Sequence, residues 1–485
     1  MQVQPSAGYA LRLRLVLESI PGTLGRLTTA IGQIGGDIEA VDLVEHRGKQ
    51  VVRELLVKAR DVEHGQAIVS AVGMVSGVVL EQVSDRTFDI HRGGKIEIAL
   101  RFPLKTRDDL SMAYTPGVGR VCMAIAEDRE RVWDYTIKRN SVAVLTDGTA
   151  VLGLGNIGPE AAMPVMEGKA MLFKEFANVD AYPICVRADD AETLVRVGAA
   201  IAPGFGGINL EDIAAPRCFE VERRLIELLD IPVFHDDQHG TAVVSLAALL
   251  NAARVVGKRL EDMTVVIQGI GAAGVACVRL LVAAGAHDVI AVDRAGILHP
   301  DSGGELSGEQ LWIAEHTNKR WRQGTTEDAL RDADAFIGLS GPSTVRSEWL
   351  AGMGPDAIVF ALANPVPEIM PELIPGNVRV VATGRSDYPN QINNVLVFPG
   401  FFRGLLDARA RTVDDAMKIV AARALAGLID ESELSDDYVV ASVFDRRVAP
   451  TVAAAVRAAA ERAGLTRDAS SVSAVEVPQV EVSST

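Results

Sequence analysis

The chain places four carboxylates close together in one region, as two adjacent pairs: Glu211 with Asp212, and Asp236 with Asp237. The second pair follows a short apolar run at residues 231–234, which predicts a strand, and precedes a long Ala- and Leu-rich helix predicted to begin near Gly240. The carboxyl end of a strand is where α/β proteins gather ligand-binding groups, and clustered hard oxygen atoms suit Mg²⁺ or Mn²⁺ better than Zn²⁺. A plainer interpretation stays open, in which one pair caps the helix and the other lies in a solvated turn.

Two other side chains are of types that suit proton transfer. Lys169 lies among apolar residues at the predicted start of a helix over residues 170–176. Desolvation there would lower the pKa of its ammonium group and make it a usable base, although a lysine at a helix start is usually a solvated surface charge. Tyr114 lies in a turn that Pro116 and Gly117 predict. From this pattern alone, Tyr114 is a half-buried packing residue with a hydrogen-bonded hydroxyl group.

A glycine motif further along the chain indicates a dinucleotide site. The motif is GxGxxG, formed by Gly269, Gly271 and Gly274. It joins a predicted strand at residues 263–268 to a predicted helix at residues 275–284, and a second strand ends in Asp293, 19 positions after the last glycine. This spacing suits an acid that hydrogen-bonds the adenosine ribose, and the amino-terminal N–H groups of the helix would hold the pyrophosphate. These features predict a Rossmann-type domain.

The region that precedes these sites is predicted to fold as a separate βαββαβ unit. Leucines alternate with other residues from Leu11 to Leu17, which is the period of a strand with one buried face. A helix then ends at Gly35-Gly36. The remaining predicted elements are strands at 38–45 and 50–59, a helix at 62–72 and a strand at 78–83. This order is that of ferredoxin-like folds.

The segment PGTLGRLTTAIGQIGGDI in this unit resembles ACT domains, and the resemblance covers roughly residues 10–85. ACT domains pair edge to edge and often bind an amino acid or another small effector near the first strand-to-helix turn. The resemblance therefore implies self-association and a small effector as partners of this unit. A unit that only dimerises is equally compatible with the pattern, because a fold does not determine a function.

Composition and patterning divide the chain into four parts. A polar stretch at residues 84–95 predicts a hinge. The predicted parts are an ACT-like regulatory or dimerisation domain at 1–90, an α/β substrate and metal domain at 91–245, a Rossmann domain with carboxyl-terminal helices at 246–465, and a mobile tail at 466–485. The predicted fold class is therefore α/β.

The overall composition excludes several classes of protein. Of 485 residues, 48% are hydrophobic and 23% are charged, and the formal net charge of −16 argues against a nucleic acid or an anionic membrane as partner. The amino terminus lacks a secretory signal, and no apolar run reaches the about 18 to 20 residues that cross a bilayer. The four cysteines have no metal-ligand spacing and are expected to be buried and reduced. We expect a cytoplasmic protein.

Eight motifs, in one order, resemble those of bacterial-type malic enzymes from about Lys95 to Ala463. They are SMAYTPGVG, TDGTAVLGLGNIG, PVMEGKAMLFKEF, NLEDIAAP, FHDDQHGTA, VVIQGIGAAG, FALANP and NQINNVLVFPG. The resemblance implies oxidative decarboxylation of (S)-malate to pyruvate and CO₂, with NAD or NADP as hydride acceptor and Mg²⁺ or Mn²⁺ required. We expect a homodimer or a homotetramer.

The resemblance also implies roles for the acidic residues and the lysine. Glu211, Asp212 and Asp237 match the metal ligands of the family. Lys169 matches the base that removes the proton of the malate C2 hydroxyl, and Asp236 matches the carboxylate beside it. Asp236 would raise the pKa of the lysine, whereas the metal and desolvation would lower it. We expect the lowering effects to dominate, because a base must be neutral to accept a proton.

Other matches concern the rest of the substrate and the cofactor. Tyr114 matches the acid that protonates C3 of enolpyruvate. Asn364 and Asn394 match residues that orient malate and the nicotinamide, and the apolar run after Asn394 is predicted to be a strand. The three motif glycines and Asp293 would hold the adenosine-pyrophosphate half. Asp293 disfavours a 2′-phosphate, whereas the adjacent Arg294 would receive one, so we expect NAD, with NADP left open.

The chain departs from the family pattern at one point. Larger members place an Arg shortly after the GLGxxG-type loop to clamp the substrate carboxylate, and here residues 156–161 contain none. The group that binds the C4 carboxylate is therefore unassigned, and a backbone N–H nest or a residue of a neighbouring subunit would serve.

Two competing classes remain at this point. One is an amino-acid dehydrogenase, which has a catalytic lysine and needs no metal. The other is a catalytically silent effector sensor, in which the ACT-like unit acts and the remainder is scaffold. If a chelator abolishes malate-dependent NAD reduction, the metal-independent amino-acid dehydrogenase is excluded. If the chain turns over malate, the silent effector sensor is excluded.

Overall fold

The computed structural model describes residues 5–151, 153–301, 306 and 308–467. The chain forms two compact units, Met1–Ala99 and Leu100–Thr485. Residues 468–485, which make up nearly all of the predicted mobile tail, lie outside the described residues. Arg467 was also predicted to belong to the tail, but it is buried, and its guanidinium group pairs with Asp230 and Glu130. This residue is therefore part of the folded unit.

The first unit is a four-stranded antiparallel sheet with helices packed against it. Its elements are β1 (Ser6–Glu18), α1 (Thr23–Gln33), β2 (Asp37–Arg47), β3 (Gln50–Ala59), α2 (Val62–Gly73), β4 (Val78–Asp85) and α3 (Arg86–His91). The strand order is β2-β3-β1-β4. Leu13, Leu15 and Leu17 of β1 are buried against Leu27 of α1 and Ile68 of α2. The predicted βαββαβ order is confirmed.

The stretch predicted to be a polar hinge contains helix α3. The carboxylate of Asp85 caps this helix by accepting a hydrogen bond from the N–H of Thr87, and the hydroxyl of Ser84 donates to Asp89. The polar side chains that suggested a hinge are used here for capping.

The first part of the second unit contains a parallel sheet in the order β6-β5-β7-β8. Its elements are α4 (Arg107–Ala113), α5 (Val118–Glu127), α6 (Val132–Tyr135), β5 (Ser141–Thr146), α7 (Pro159–Ala177), β6 (Asp180–Cys185), α8 (Ala191–Ile201), β7 (Gly207–Leu210), α9 (Arg217–Leu228), β8 (Val233–His235) and α10 (Asp236–Val255). Strands β7 and β8 are parallel neighbours. Their carboxyl ends therefore lie side by side, which brings the residues after β7 close to those after β8.

The second part contains a six-stranded sheet in the order β11-β10-β9-β12-β13-β14. Its elements are β9 (Thr264–Gln268), α11 (Ala272–Ala283), β10 (Asp288–Asp293), β11 (Gly296–Ile297), α12 (Gly308–His316), α13 (Thr326–Leu330), β12 (Ala335–Gly338), α14 (Ser347–Leu350), β13 (Ala357–Ala361), β14 (Val378–Thr383), α15 (Phe398–Asp407), α16 (Asp415–Ala426) and α17 (Val448–Arg462). All neighbouring strands are parallel except β11, which is antiparallel to β10. This is the predicted Rossmann-type arrangement, with strand order reversing at β9.

Lys169 lies inside helix α7 and not at a helix start, so that prediction was wrong. Pro164 and Gly168 disfavour a helix before Lys169, because proline removes a helical hydrogen bond and glycine weakens a helix. The helix instead begins at Pro159, where the missing N–H has no cost, and it continues through Pro164. Its buried face, which includes Met166 and Phe173, packs into the core, and this packing outweighs the local preferences.

Two other boundaries differ from the predictions. Helix α10 begins at Asp236 and not near Gly240, so both acids of the second pair lie in its first turn, where negative charge is favourable. The apolar run after Asn394 is a short 3-10 turn at Asn394–Leu396 followed by α15, and not a strand. Pro399 in the first turn of α15 suits a helix start. Within the part of the chain that the structure describes, no helix has the length and apolarity needed to cross a membrane.

All four cysteines are free thiols, but not all are buried as predicted. Cys218 and Cys277 are buried, Cys185 is partly exposed and Cys122 is exposed. Burial raises the pKa of the Cys277 thiol to about 12, so this side chain stays a neutral, unreactive core residue.

Candidate active site

Three carboxylates converge at the adjacent carboxyl ends of β7 and β8. Glu211 and Asp212 directly follow β7, and Asp237 lies in the first turn of α10. One oxygen from each carboxylate lies within 4.8 Å of the other two. The N–H of Asp212 donates to Oδ2 of Asp237 at 2.7 Å, which ties the two loops together. Three carboxylate oxygens at this spacing form the hard, anionic donor set that Mg²⁺ or Mn²⁺ prefers.

The side chain of Lys169 reaches the same place from α7. Its Nζ lies 2.9 Å from Oε1 of Glu211 and 2.5 Å from Oδ2 of Asp236. It also lies over the Phe398 ring, 4.0 Å from the ring centroid. Lys169, Glu211 and Asp236 are all buried. The predicted base, its predicted neighbour and a predicted metal ligand are therefore in direct contact.

The pKa of Lys169 is raised above its usual value. Burial lowers this pKa, but the charges of Asp236 and Glu211 and the hydrogen bond that Lys169 donates to Asp236 outweigh that effect. The expectation that lowering effects dominate concerns the site with its metal bound and stays a prediction; among the protein groups alone, two buried carboxylates that contact the ammonium group directly outweigh desolvation. Contact with these carboxylates therefore favours the ammonium form of Lys169.

Negative charge in the site exceeds positive charge. Four carboxylates, those of Glu211, Asp212, Asp236 and Asp237, share the region with the ammonium group of Lys169. Burial raises the pKa of Glu211 well above its usual value, and the neighbouring carboxylates, Asp237 first, raise it further despite the opposing charge of Lys169. Such a cluster is stabilised when a cation is bound beside it.

Asp236 is packed so tightly that residue 240 must be glycine. A Cβ atom on Gly240 would lie 1.9 Å from Oδ1 of Asp236. Oδ2 accepts hydrogen bonds from Lys169 and, at 3.1 Å, from Nδ2 of Asn394, and the amide oxygen of Asn394 accepts from the hydroxyl of Thr241. Asn394 thus lies in the site as predicted, and its amide holds Asp236.

The sequence analysis missed the residues that support the carboxylates. Nδ2 of Asn209 donates to Oε2 of Glu211 at 2.8 Å. Behind Asp237, the buried carboxylate of Glu222 in α9 accepts hydrogen bonds from the β8–α10 junction. A signal for Glu222 was present, because it occupies the apolar stripe of α9 that includes Cys218 and Leu225, where a charge is unexpected.

Tyr114 is not brought into contact with the other site residues. It follows α4 and is 69% exposed, so the expectation of a half-buried packing residue is wrong. Among the described residues, no hydrogen bond or ion pair joins its hydroxyl to Lys169 or to the carboxylates. Its catalytic role remains a prediction.

The GxGxxG motif forms the turn between β9 and α11. Gly269 has φ of +97°, and a Cβ atom there would lie 2.5 Å from the carbonyl oxygen of Leu339. Gly271 is the residue before α11, whose first N–H groups point toward the turn. Asp293 ends β10, and its carboxylate accepts hydrogen bonds from the N–H of Arg294 at 2.8 Å and from Nε2 of Gln310 at 2.6 Å. The turn and the acid therefore have the geometry of a dinucleotide site.

Asn364 lies between the two sheets of the second unit. It follows β13 and is exposed. A Cβ atom on Gly153 would lie 3.0 Å from its carbonyl oxygen, and one on Gly384 would lie 2.6 Å from its Nδ2. The glycine-rich loop after β5 thus approaches the carboxyl end of β13.

Two family models match this chain. Residues 93–196 match the model described as the malic enzyme N-terminal domain, and residues 238–461 match the malic enzyme NAD binding domain. Tyr114 and Lys169 lie in the first matched range, and the glycine motif, Asp293, Asn364 and Asn394 in the second. Residues 211–237, which contain the carboxylates, lie between the two.

Curated relatives resemble the chain over most of its length. It is 54% identical over 469 residues to the NAD-dependent malic enzyme of Geobacillus stearothermophilus, which covers 96% of this chain and 98% of the relative. It is 50% identical over 375 residues to the bifunctional malic/malolactic enzyme of Bacillus subtilis, covering 77% of this chain and 92% of that one.

Solved structures show the same architecture. The crystal structure of the malic enzyme from Pyrococcus horikoshii superposes with a TM-score of 0.75 at 49% identity, over 77% of this chain and 88% of that one. The NAD-dependent malic enzyme of Thermotoga maritima gives a TM-score of 0.74 at 46% identity, over 77% of this chain and 99% of that one.

Proposed function

The chain belongs to the malic enzyme family, and from this premise we propose that it oxidatively decarboxylates (S)-malate to pyruvate and CO₂ with reduction of NAD or NADP. The observation that carries the proposal is the direct contact of Lys169 with Glu211 and Asp236 beside two further carboxylates. A metal-independent amino-acid dehydrogenase would not need this excess of buried acids. A silent effector sensor would need neither the acids nor the lysine.

Glu211, Asp212 and Asp237 are proposed to hold the divalent cation. Their oxygens have the required spacing and chemistry, and burial together with the neighbouring carboxylates raises the pKa of Glu211, an effect that a bound cation would oppose. A bound Mg²⁺ or Mn²⁺ would supply positive charge that stabilises negative charge on the malate C2 oxygen and on the enolate left after CO₂ is lost.

Lys169 is proposed to be the general base for the C2 hydroxyl group. Its neutral amine accepts the hydroxyl proton as hydride leaves C2. Because the pKa of Lys169 is raised in the structure, the ammonium proton must first be released. When Glu211 ligates a cation, its charge no longer stabilises the ammonium form, and the pKa of Lys169 falls. Asp236 keeps the amine directed into the site.

Tyr114 is proposed to be the acid that protonates C3 of enolpyruvate. A phenol hydroxyl group is a weak acid that can donate its proton to a carbon atom bearing negative charge. Lys169 or a bound water then resupplies the proton. Since the ring is exposed, the segment that carries Tyr114 must be brought to the site by substrate binding or by assembly.

We propose that the chain self-associates as a homodimer or a homotetramer. The amino-terminal segment of the second unit exposes many large apolar side chains to solvent: Leu100, Phe102, Leu104, Leu110, Met112 and Met123. Exposed apolar groups in this number mark an interaction surface. Tyr114 belongs to the same segment. Light scattering of the purified chain at assay concentration would contradict the proposal if it gave the mass of one chain.

We also propose that the first unit binds a small effector. It contains a cavity of about 370 Å³ between α2, β1 and β4, away from the first strand-to-helix turn. Apolar side chains line it, including Tyr9, Leu11 and Val69, and the carboxylates of Asp61 and Asp85 lie at its edge. This lining suits a small molecule with an apolar body and an ammonium group, as apolar amino acids have. Calorimetric titration with such amino acids tests the assignment.

The reaction itself is tested by stoichiometry. The purified chain, supplied with (S)-malate, Mn²⁺ and NAD, is expected to form NADH and pyruvate in equal amounts. The same preparation with glutamate or alanine in place of malate is the control. Reduction of NAD by an amino acid, with none by malate, would favour the dehydrogenase class and overturn the proposal.

Asp293 is expected to set the preference for NAD over NADP. Its carboxylate repels a 2′-phosphate, and the adjacent Arg294 is exposed and available to an anion. Asp293→Ser should therefore lower kcat/KM for NAD and raise it for NADP, changing the ratio of the two by about 10- to 100-fold, since a charged hydrogen bond contributes about 1.5 to 3 kcal/mol. Asp356→Ser, at an exposed carboxylate before β13, is the matched control. An unchanged ratio would exclude this role.

A further inference from the structure

Glu368 is a buried carboxylate that none of the proposed chemical steps uses. It lies in the loop between β13 and β14, and its side chain is buried. Oε1 accepts hydrogen bonds from the backbone N–H of Ser340 at 2.8 Å and from the hydroxyl of Ser340 at 3.4 Å, and Oε2 accepts from the N–H of Ala363 at 3.0 Å. Ser340 follows β12 and Ala363 follows β13, which are parallel neighbours. One carboxylate therefore joins the turns at the carboxyl ends of two adjacent strands.

The surroundings of Glu368 hold its carboxylate in place. Burial raises the pKa of this carboxyl group, and the N–H groups of Ala363 and Ser340 oppose that effect. Burying a carboxylate is unfavourable unless hydrogen bonds compensate, so these donors are required where the side chain lies. The space is also closed on the side of β12, because a Cβ atom on Gly338 would lie 2.6 Å from Cδ of Glu368.

The turn at Leu339-Ser340 borders the first glycine of the GxGxxG motif. A Cβ atom on Gly269 would lie 2.5 Å from the carbonyl oxygen of Leu339 and 2.7 Å from Cα of Ser340. The N–H of Leu339 donates to the carbonyl oxygen of Gln268 at 2.8 Å. In open α/β sheets, ligands bind outside the carboxyl ends of the strands where the strand order reverses, which here is at β9. Because β12 is a direct neighbour of β9, the Leu339-Ser340 turn forms one wall of this crevice.

We propose that Glu368 is a positioning residue for the dinucleotide site. Its carboxylate holds the Leu339-Ser340 turn against Gly269, and it holds the backbone at Ala363, the residue before Asn364, beside that turn. The crevice thus has the shape that the pyrophosphate and nicotinamide parts require before the cofactor enters. Glu368 is buried and acts through these turns. The proposal rests on the dinucleotide binding that is part of the proposed function.

Glu368→Gln tests the proposal with a side chain of the same length. Glutamine has one acceptor oxygen, and its NH₂ group must face the N–H of either Ser340 or Ala363, so one of the two turns is no longer held. We expect the Kd for NADH to rise by about 10- to 100-fold, the usual consequence of losing a hydrogen bond to a charged group. Fluorescence titration of the purified full chain with NADH measures this change.

AMP separates positioning from a general loosening of the domain. AMP contains only the adenosine and one phosphate group, and its expected contact, Asp293, ends β10 on the opposite side of β9 from β12. Glu368→Gln should therefore bind AMP with nearly the parent affinity, measured by calorimetry. Equal weakening of AMP and NADH would mean that the whole domain is loosened, and it would overturn the proposal.

Asp334→Asn is the matched control, because Asp334 is a carboxylate at the opposite end of the same strands. It accepts hydrogen bonds from the N–H of Thr264 and from Nζ of Lys258, both at 2.8 Å. The substitution should lower the unfolding temperature and leave the Kd for NADH unchanged. If the parent chain binds neither NADH nor NADPH, the proposed function fails. If the parent binds NADH and Glu368→Gln binds it equally well, only the positioning role fails.

A measurement on the parent protein decides the matter if Glu368→Gln does not fold. Hydrogen exchange of the full chain without cofactor reports whether the turns are already held. The N–H groups of Ser340 and Ala363 are expected to exchange slowly before NADH is added, because the Glu368 carboxylate accepts from both. Rapid exchange of these two groups in the free protein, with protection only after NADH binds, would overturn the proposal.

Discussion

Lys169→Ala is expected to lower kcat for malate oxidation by about 10²- to 10⁴-fold, the usual contribution of a positioned base. The buried amine would be replaced by a methyl group, and the Asp236 and Glu211 carboxylates would lose their direct partner. Lys169→Arg is the sharper variant, because it retains the positive charge beside these carboxylates but does not release its proton in proteins. Both variants are expected to bind NAD with nearly the parent affinity, measured by calorimetry.

Lys138 supplies a matched control for this experiment. It is also a buried lysine, and its Nζ donates to the carbonyl oxygens of Ala202 and Pro203 at the amino end of β5, opposite the site. Burial, with a smaller effect of Arg467, lowers the pKa of Lys138 to about 8. Lys138→Met should lower the unfolding temperature and leave kcat within a few-fold of the parent. Turnover near the parent value in Lys169→Arg would exclude a proton-accepting role for Lys169.

Removal of divalent metal is expected to abolish malate oxidation. An excess of EDTA should bring the rate of NADH formation to background, and an excess of Mn²⁺ should restore it.

Substitution of one ligand should act through the same site, so Asp212→Asn should raise the Mn²⁺ concentration needed for half-maximal rate by at least about 10-fold. The physical reason is that the substitution removes one of three anionic donors, while hard divalent cations bind carboxylate oxygens more strongly than neutral amides.

The control for the metal experiment is another adjacent acidic pair. Glu261 and Asp262 are exposed and lie before β9. They do not belong to the cluster of three carboxylates, from which they are more than 20 positions away in the sequence. Glu261→Gln with Asp262→Asn should leave the Mn²⁺ dependence unchanged. A rate that resists EDTA in the parent protein would mean that the three carboxylates serve another purpose.

Much of the fold could be predicted because its signals are local. The alternation of leucines in β1 and the spacing of GxGxxG from Asp293 depend on residues close in the chain, and the structure confirms both the βαββαβ order and the Rossmann-type sheet. Predictions from local preference failed where packing opposed it. Helix α7 passes through Pro164, and the run after Asn394 forms a turn and a helix.

The candidate site could be predicted only in part. The acidic pairs and the lysine were recognisable by residue type, and the parallel pairing of β7 with β8 then brings Glu211 and Asp212 to Asp237. Glu222 was not found, because nothing near it in the chain connects it with Gln238. Tyr114 was recognised from its motif, but its exposure depends on which surfaces the rest of the chain covers.

The sequence by itself determined which chemical groups this protein has and the order in which its strands and helices carry them. Only the tertiary structure decided the state of those groups. The protein groups around Lys169 raise its pKa, because two carboxylates from segments more than 40 positions away contact it. Electrostatic interactions act through space and weaken with distance, so residues far apart in the chain set the charge and orientation of each group in the site.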